Sequence, residues 1–163
     1  MPPAQCAPAG VLRLGVTPLR EHLRFSGEFP IPPGFDPLVD GLGVEVSYEP
    51  ETDPTNVVLI AQLPASGFTR TPKSIRYTDS RATINGVKLV SISDLPAQPG
   101  FKRIKINRRG APLTIPMSGV LRVVLTSGAA CVRSCGSTCD VSPTRIRCAK
   151  NLDEALCGTI SGP

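Results

Sequence analysis

The sequence predicts an all-β protein: an antiparallel two-sheet β-sandwich of about eight strands with a disulfide-rich C-terminal tail. Apolar and polar residues alternate with period two along most of the chain, and the 3.6-residue period of amphipathic helices is almost absent. The 163 residues include 15 Gly and 18 Pro, which supply turns, while 40% hydrophobic content excludes a disordered chain. Short strands without intervening helices favour a sandwich, with a partly open barrel as the alternative.

Eight segments have the alternation of strands: Gly10–Thr17, Leu23–Phe29, Gly43–Tyr48, Asn56–Leu63, Ser74–Thr78, Val87–Ser93, Phe101–Asn107 and Gly119–Ser127. Asn56–Leu63 and Gly119–Ser127 are more continuously apolar than the others, which predicts positions in the middle of sheets. In Phe101–Asn107, Ile104 and Ile106 share one face and Arg103, Lys105 and Asn107 share the other. This strand is therefore predicted to be buried on one side only.

Turn signals separate these segments. Asn85-Gly86, between "RATI" and "VKLV", predicts a type I′ hairpin turn, because such a turn needs positive φ at both central residues. One segment, Asn151–Cys157, has a helical pattern. We expect a single folding unit, organised as an N-terminal extension (1–9), a β-sandwich domain (10–128) and a cysteine-rich tail (129–163).

The six cysteines are Cys6, Cys131, Cys135, Cys139, Cys148 and Cys157. The four from Cys131 to Cys148 have the number of thiolates that a zinc site needs, but the sequence has one histidine and no CxxC pair. Disulfides fit better, because the count is even and this Gly/Ser/Thr-rich segment has little apolar surface to bury. We predict pairing of Cys139 with Cys148, since the chain can double back at Ser142-Pro143, and pairing of Cys6 with the C-terminal tail.

Disulfides imply an oxidising compartment, so we expect an extracellular, cell-surface or periplasmic protein. The opening residues, "MPPAQCAPAG", lack the charged start, apolar stretch and cleavage site of a secretory signal. This expectation therefore requires a signal removed before the numbering begins. No apolar run approaches the roughly 18 residues that span a bilayer, so no membrane span is expected.

The net charge of +5 is concentrated in part on one predicted strand. Arg103, Lys105, Arg108 and Arg109 form a candidate face for an anionic ligand such as a glycan or lipopolysaccharide. Lys102 precedes them, and Arg76, Arg81 and Lys88 lie on or near neighbouring predicted strands. The simpler interpretation is a solvated strand face whose charges discourage edge pairing. Aromatic residues make up only 4%, which argues against nucleic acid, because single strands bind by base stacking, and also against a carbohydrate-binding module built on ring stacking.

Catalytic and cofactor motifs are absent from the sequence. His22 is the single histidine and no GxSxG elbow accompanies it, so we expect no enzyme and no catalytic residues. No P-loop or GxGxxG is present, and we expect no cofactor. Asp36, Asp40, Asp53 and Asp79 lie in loops where calcium binds in some proteins, but Asp beside Pro or Gly is first a turn-former. No metal site is therefore predicted.

Three segments, "GEFPIPPGFDPLVDGLGVEV" (27–46), "INGVKLVSI" (84–92) and "CDVSPTRIRCAKN" (139–151), resemble a loosely defined group of bacterial proteins from environmental and deltaproteobacterial genomes. These proteins look exported and carry β-sandwich domains with a Phe-Asp-Pro…Asp-Gly connection and a cysteine-bearing end. The resemblance covers most of residues 20 to 151 and implies the fold and export. The group has no established activity, so no site residues are transferred. The extra cysteines and the tail beyond Asn151 depart from the group.

Two functions follow as expectations. The first is a non-enzymatic, exported structural or assembly protein, a disulfide-stapled sandwich that packs with itself or with other surface proteins. The alternative is an extracellular binding module for an anionic ligand, with the basic strand face as its site.

Overall fold

A computed structural model describes residues 6–8, 11–17, 22–48, 57–109, 120–133, 137–142 and 145–148. The fold is an all-β sandwich of two antiparallel sheets, which confirms the predicted class. Its strands are β1 (Ala7–Pro8), β2 (Val11–Thr17), β3 (His22–Pro30), β4 (Leu42–Tyr48), β5 (Val57–Leu63), β6 (Phe68–Arg70), β7 (Ser74–Thr78), β8 (Val87–Asp94), β9 (Phe101–Arg109), β10 (Val120–Ser127), β11 (Ala130–Arg133), β12 (Ser137–Ser142) and β13 (Arg145–Cys148).

Sheet A contains β5, β4, β10, β11 and β1 in that spatial order. Sheet B runs β13, β2, β3, β9, β8, β7, β6. Strand β12 pairs with β10 in sheet A and with β13 in sheet B, so it passes from one sheet to the other. Such switching strands form the corners of β-sandwiches. Among the described strands, the path of pairing runs from β1 to β6 without closing, which rules out a closed barrel there.

Each of the eight predicted strands is present, with ends shifted by no more than two residues. The strands that were not predicted are β1, β6, β11, β12 and β13. Strands β11, β12 and β13 lie in the segment predicted as a tail, and all three pair with strands of the sandwich. The helix predicted over 151–157 lies outside the described residues.

The prediction for Asn56–Leu63 was wrong. Among the described strands, β5 pairs only with β4, so it lies at the edge of sheet A and not in its middle. Its run of apolar residues still alternates in burial: Leu59 and Ala61 are buried, whereas Ile60 is 54% exposed. The predicted middle position of β10 is confirmed by its pairing with β4 on one side and with β11 and β12 on the other.

The Asn85-Gly86 turn has the predicted backbone, with φ of 48° at Asn85 and 81° at Gly86. The backbone N–H of Val87 closes the turn by donating to the oxygen of Ile84, 2.9 Å away. However, "RATI" is not a strand, because β7 ends at Thr78 and the connection to β8 occupies 79–86. The predicted two-residue hairpin is therefore one turn within a longer loop.

The core lies between the inward faces of the two sheets. Leu42, Leu63, Val123 and Leu125 contribute from sheet A, and large side chains from sheet B include Leu23, Phe29, Val90 and Ile104; all of these are less than 2% exposed. Gly27 lies between Phe25 and Phe29 on the same face of β3, and the two phenyl rings occupy the space that a Cβ atom would need. Burial of this apolar area is the main stabilising force.

A short helix, α1 (Pro37–Asp40), connects β3 to β4. Asp36 is its N-cap, and the carboxylate oxygen Oδ1 accepts a hydrogen bond of 3.0 Å from the backbone N–H of Leu38. Proline stands at the first helical position, where a backbone N–H has no helical partner anyway. This accounts for the Phe-Asp-Pro…Asp-Gly sequence in structural terms. The described residues contain no helix of the length and hydropathy that a bilayer crossing requires.

One disulfide joins Cys6 to Cys131, with the two Cα atoms 4.6 Å apart. It connects the residue before β1 to β11, and these two strands pair in parallel. The sequence separation is 125 residues. A link across so long a segment restricts the unfolded chain strongly, by about 5 kcal/mol in the loop-entropy account. The predicted tie between the N-terminal segment and the region after residue 129 is present.

Candidate functional site

Strand β9 carries the predicted basic residues, and its two faces differ as expected. Ile104 is fully buried and Ile106 is 2% exposed on the inward face. Lys105 and Arg109 are exposed on the outward face, which also carries Arg103 and Asn107. The one-sided burial predicted for this strand is thus confirmed.

Arg108 is a correction to the predicted face. It is only 3% exposed, because it shares the inward face of β9 with Ile104 and Ile106. Its Nε donates to the backbone oxygen of Asn85 at 3.0 Å. Arg108 therefore supports the turn before β8 from inside the molecule, and the exposed face does not include it.

Arg103 is on the outward face but is held in an ion pair. Its Nη2 lies 2.8 Å from Oε1 of Glu28, the residue directly opposite on β3. Lys102 similarly lies 3.1 Å from a carboxylate oxygen of Asp94 on β8. Both cations have an acidic neighbour that offsets their charge, so they attract a further anion less than Lys105 does.

Two arginines from neighbouring strands extend the outward face. Arg24 on β3 lies opposite Asn107, and Arg76 on β7 lies opposite Ser91; both arginines are exposed. Arg76 was predicted as a neighbour of the basic strand, whereas Arg24 was not. The signal for Arg24 was available, because it alternates with the apolar Leu23 and Phe25. We call Arg24, Arg76, Lys105 and Arg109 the basic face.

The other two predicted neighbours lie elsewhere. Lys88 occupies the point where the β8–β9 register shifts, between Val87 and Leu89. Arg81 is in the 79–86 loop, where it is exposed. Neither extends the regular rows of side chains on the outward face.

A hollow of about 400 Å³ opens on this side of sheet B. Its lining residues come from β3, β8 and β9: Arg24, Phe25, Ser26, Leu89, Lys105, Ile106 and Asn107. The volume is within the range of small-molecule sites. The described lining residues combine an ammonium, a guanidinium, a hydroxyl and an amide with the apolar side chain of Leu89, and none of them is a carboxylate. This donor set suits an anion.

A second hollow, of about 370 Å³, lies at the β7 side of the same sheet. It is lined by Thr71, Pro72, Lys73, Ser74 and Arg76. The turn beneath it is fixed by Thr71, whose Oγ1 accepts a 3.0 Å hydrogen bond from the backbone N–H of Ser74. This hollow also combines cations with hydroxyl groups, and none of its described lining residues is acidic.

The remaining cysteines were predicted to form disulfides. Cys139 and Cys148 are directly opposite each other in the register of β12 and β13, so the chain reverses direction between Ser142 and Arg145. Cys135 and Cys157 lie outside the described residues. The alternative zinc site was assigned to Cys131, Cys135, Cys139 and Cys148. Cys131 is instead bonded to Cys6, which removes one of the four thiolates.

Two of the loop aspartates, Asp36 and Asp79, act as turn-formers, and Asp40 is the last residue of α1. Asp36 caps α1, and Asp79 accepts hydrogen bonds from the backbone N–H groups of Arg81 (3.0 Å) and Thr83 (2.7 Å). Asp53 lies outside the described residues. Within the described ranges, no group of three or more His, Cys, Asp and Glu residues is arranged to hold a metal ion.

His22 begins β3, where its backbone pairs with Thr17 and Arg109.

No protein-family model matches the sequence, and no curated protein or solved structure matches it either. The resemblance to exported bacterial sandwich proteins therefore stays a prediction. The candidate site stands on the geometry of the basic face and its two hollows.

Proposed function

We propose that the protein is a non-enzymatic, extracellular or periplasmic binding module for an anionic ligand, such as a glycan bearing sulfate, phosphate or carboxylate groups. The observation that carries the proposal is the hollow lined by Arg24, Ser26, Lys105 and Asn107, a concave site whose described lining residues are rich in donors and include no acidic side chain. This was the alternative function expected from the sequence, and the described geometry supports it better than assembly.

Each group in the hollow has a distinct part in binding. The ammonium of Lys105 is a compact charge on a flexible stem and adapts to anions of different shapes. Ser26 offers a hydroxyl group that orients the ligand, and Leu89 provides apolar contact. Exposed ion pairs contribute about 0.2 to 1 kcal/mol each, so useful affinity needs several contacts. Binding should weaken with salt, since the screening length is about 8 Å at physiological ionic strength.

The proposed location is supported by the Cys6–Cys131 disulfide. Disulfides persist in oxidising compartments and are rare in the cytosol of most organisms. A secreted or periplasmic binding module meets anionic glycans and lipopolysaccharide directly.

The test is retention on immobilised heparin in a salt gradient, comparing the native chain with Lys105→Gln. We expect K105Q to elute at clearly lower salt. Arg81→Gln is the matched control, because it removes the same charge from an exposed loop outside the two hollows. Equal shifts in K105Q and R81Q would mean that net charge alone drives retention. That outcome, or no retention of the native chain, overturns the proposal.

Assembly is the second candidate, favoured by the edge strand β5. Among the described strands its outer edge has no partner strand, and Ile60 on it is 54% exposed. Unpaired edges are templates for pairing with another chain. However, the side-chain amide of Asn85 donates to the backbone oxygen of Ile60 and thereby occupies part of that edge.

The β6 edge of sheet B is also poorly suited to assembly. Strand β6 has three residues, and Thr69 and Arg70 on it are exposed. Short, charged edge strands are a common device against pairing. The native mass decides between the candidates: a stable oligomer that Ile60→Lys dissociates supports assembly, whereas a monomer that binds heparin supports the binding module.

A further inference from the structure

A row of cations and hydroxyls crosses sheet B at right angles to its strands. Thr69, Arg76, Ser91, Lys105 and Ser26 are directly opposite one another on β6, β7, β8, β9 and β3 in turn. Arg76, Lys105 and Thr69 are exposed, and the two serines are half-buried. Because directly opposite residues project from the same face of a sheet, the five side chains form one line. We call this line the cation–hydroxyl stripe.

The stripe has a regular spacing. Neighbouring strands lie about 4.8 Å apart, so Arg76 and Lys105, two strands apart, have backbones about 10 Å from each other. A serine separates them, and another follows Lys105. The register continues to β2, where the backbone of Arg13 is opposite that of Ser26. Arg13 therefore lies two strands from Lys105, as Lys105 does from Arg76. Cation and hydroxyl therefore alternate from strand to strand.

The two hollows lie along this stripe. Arg76 lines the hollow on the β7 side, and Lys105 and Ser26 line the hollow between β3 and β8. One exposed cation of the stripe thus stands in each hollow. A ligand that contacted both Arg76 and Lys105 would have to lie across the strands.

We propose that the stripe binds an extended anionic polysaccharide, whose chain lies across the strands with negative groups about 10 Å apart. This inference rests on the proposed function and specifies its ligand as a linear chain. Charge complementarity selects an anion, and the alternation with serines suits a ligand with hydroxyls between its charged groups. The stripe contains no aromatic side chain, so it offers no stacking platform for the bases of a single-stranded nucleic acid.

The experiment measures the affinity of size-defined heparin oligosaccharides, from disaccharide to decasaccharide, by titration calorimetry at fixed salt. We expect affinity to rise with length until the chain spans both hollows and then to level off, because linked contacts act at high effective concentration. Inositol hexakisphosphate serves as a compact polyanion and oligothymidylate as a nucleic acid. Both should bind more weakly than the longest oligosaccharide.

Three variants locate the contacts. Arg76→Gln and Lys105→Gln should each weaken decasaccharide binding about two- to fivefold, and the double variant should lose about the product of the two. For the disaccharide, only one of the two substitutions should matter. The double variant Arg70→Gln/Arg81→Gln removes the same charge from outside the stripe and the two hollows, and it should retain near-native affinity.

The outcomes separate this inference from the proposed function. If heparin fragments bind, but with no dependence on length and no effect of R76Q, the stripe is overturned while anion binding at Lys105 stands. If no fragment binds at any length, both fail. Tighter binding of oligothymidylate than of the decasaccharide overturns the choice of a polysaccharide.

Discussion

Arg108 and Asn85 connect the two sheets of the sandwich. The Nε of buried Arg108 donates to the backbone oxygen of Asn85 at 3.0 Å, and the side-chain amide of Asn85 donates to the backbone oxygen of Ile60. The first contact joins β9 to the turn before β8 in sheet B. The second joins that turn to edge strand β5 of sheet A. The turn thus couples the two sheets by polar contacts at the border of the apolar core.

Arg108→Met tests the first contact. Methionine keeps an unbranched apolar stem in the buried position but cannot donate to the Asn85 oxygen. A hydrogen bond from a charged donor contributes about 1.5 to 3 kcal/mol, and because this one is only partly buried we expect the free energy of unfolding in urea to fall by about 1 to 2 kcal/mol. Arg109→Met is the matched control, because Arg109 is adjacent and exposed; its effect should stay within about 0.5 kcal/mol. Equal losses in the two variants would contradict a structural role for Arg108.

Asn85 combines a positive φ with the amide contact to Ile60, and two substitutions separate these roles. Asn85→Gly keeps the backbone freedom and removes the amide, whereas Asn85→Ala removes the amide and also strains the backbone at φ of 48°. We expect N85A to be less stable than N85G by about 1 kcal/mol, because the left-handed conformation destabilises a residue with a Cβ atom by about that amount. Thermal unfolding of both variants measures the difference. The opposite order would mean that the loop relaxes to another conformation.

Period-two alternation predicted the strands and, for most of them, which face is buried. Successive side chains of a strand point to opposite faces, so a sheet buried on one side has alternating apolar and polar residues. The same alternation could have predicted that Arg108 faces inward, because it follows Ile104 and Ile106 at intervals of two residues. The positive charge suggested exposure instead, and the hydrogen bond to Asn85, which satisfies Nε of the buried guanidinium, is a tertiary contact that local sequence does not show. Arg24 was missed although it alternates with Leu23 and Phe25.

Other features depend on pairing partners, which local sequence does not specify. The run Val57–Leu63 looks central because Ile60 is apolar, yet Ile60 faces outward on an edge strand. Strands β11 to β13 carry many Ser, Thr, Cys and Arg residues and little apolar alternation, so they were not recognised as part of the sheets. The cation–hydroxyl stripe depends on five strands being in register and has no local signature.

The register of β12 and β13 leads to a prediction about pairing of the remaining thiols. Cys139 is directly opposite Cys148, and directly opposite Cα atoms in an antiparallel pair are about 4.5 to 5.5 Å apart, within the range for a disulfide. We expect a non-reducing tryptic digest to contain the peptide 134–145 linked to the peptide that begins at Cys148. Fragmentation should assign the link to Cys139, and the same digest should contain Cys6 linked to Cys131.

The digest has two contradicting outcomes. Alkylation of Cys139 and Cys148 without prior reduction would show free thiols, and metal analysis of the same sample would then detect any bound zinc. A disulfide between Cys148 and Cys135 would also contradict the prediction, because Cys148 would then not be bonded to the residue opposite it in the hairpin. As a control, the double variant Cys139→Ser/Cys148→Ser should lose this one link and retain the link between Cys6 and Cys131.

Asp79 organises the loop that contains Asn85, and its titration reports on that loop. Oδ2 accepts hydrogen bonds from Thr83 Oγ1 at 2.6 Å and from the Thr83 N–H at 2.7 Å, while Oδ1 accepts from the Arg81 N–H at 3.0 Å. These bonds favour the carboxylate, and they lower the pKa of Asp79, with the Thr83 side chain as the largest cause. Carbon-detected NMR titration should show this lowered pKa.

The sign of the pH dependence follows from the direction of the shift. Because the folded pKa of Asp79 lies below the unfolded one, its contribution to stability is fully present above the unfolded pKa and is lost as pH falls through the folded pKa. Thr83→Val removes the hydroxyl donor but keeps the backbone N–H, so it should raise the pKa of Asp79 part of the way back and flatten the acid-side loss of stability. Thr78→Val, at an exposed position at the end of β7, should leave the pKa unchanged. An Asp79 pKa that is the same in T83V and in the native chain would mean that the hydroxyl bond does not form in solution.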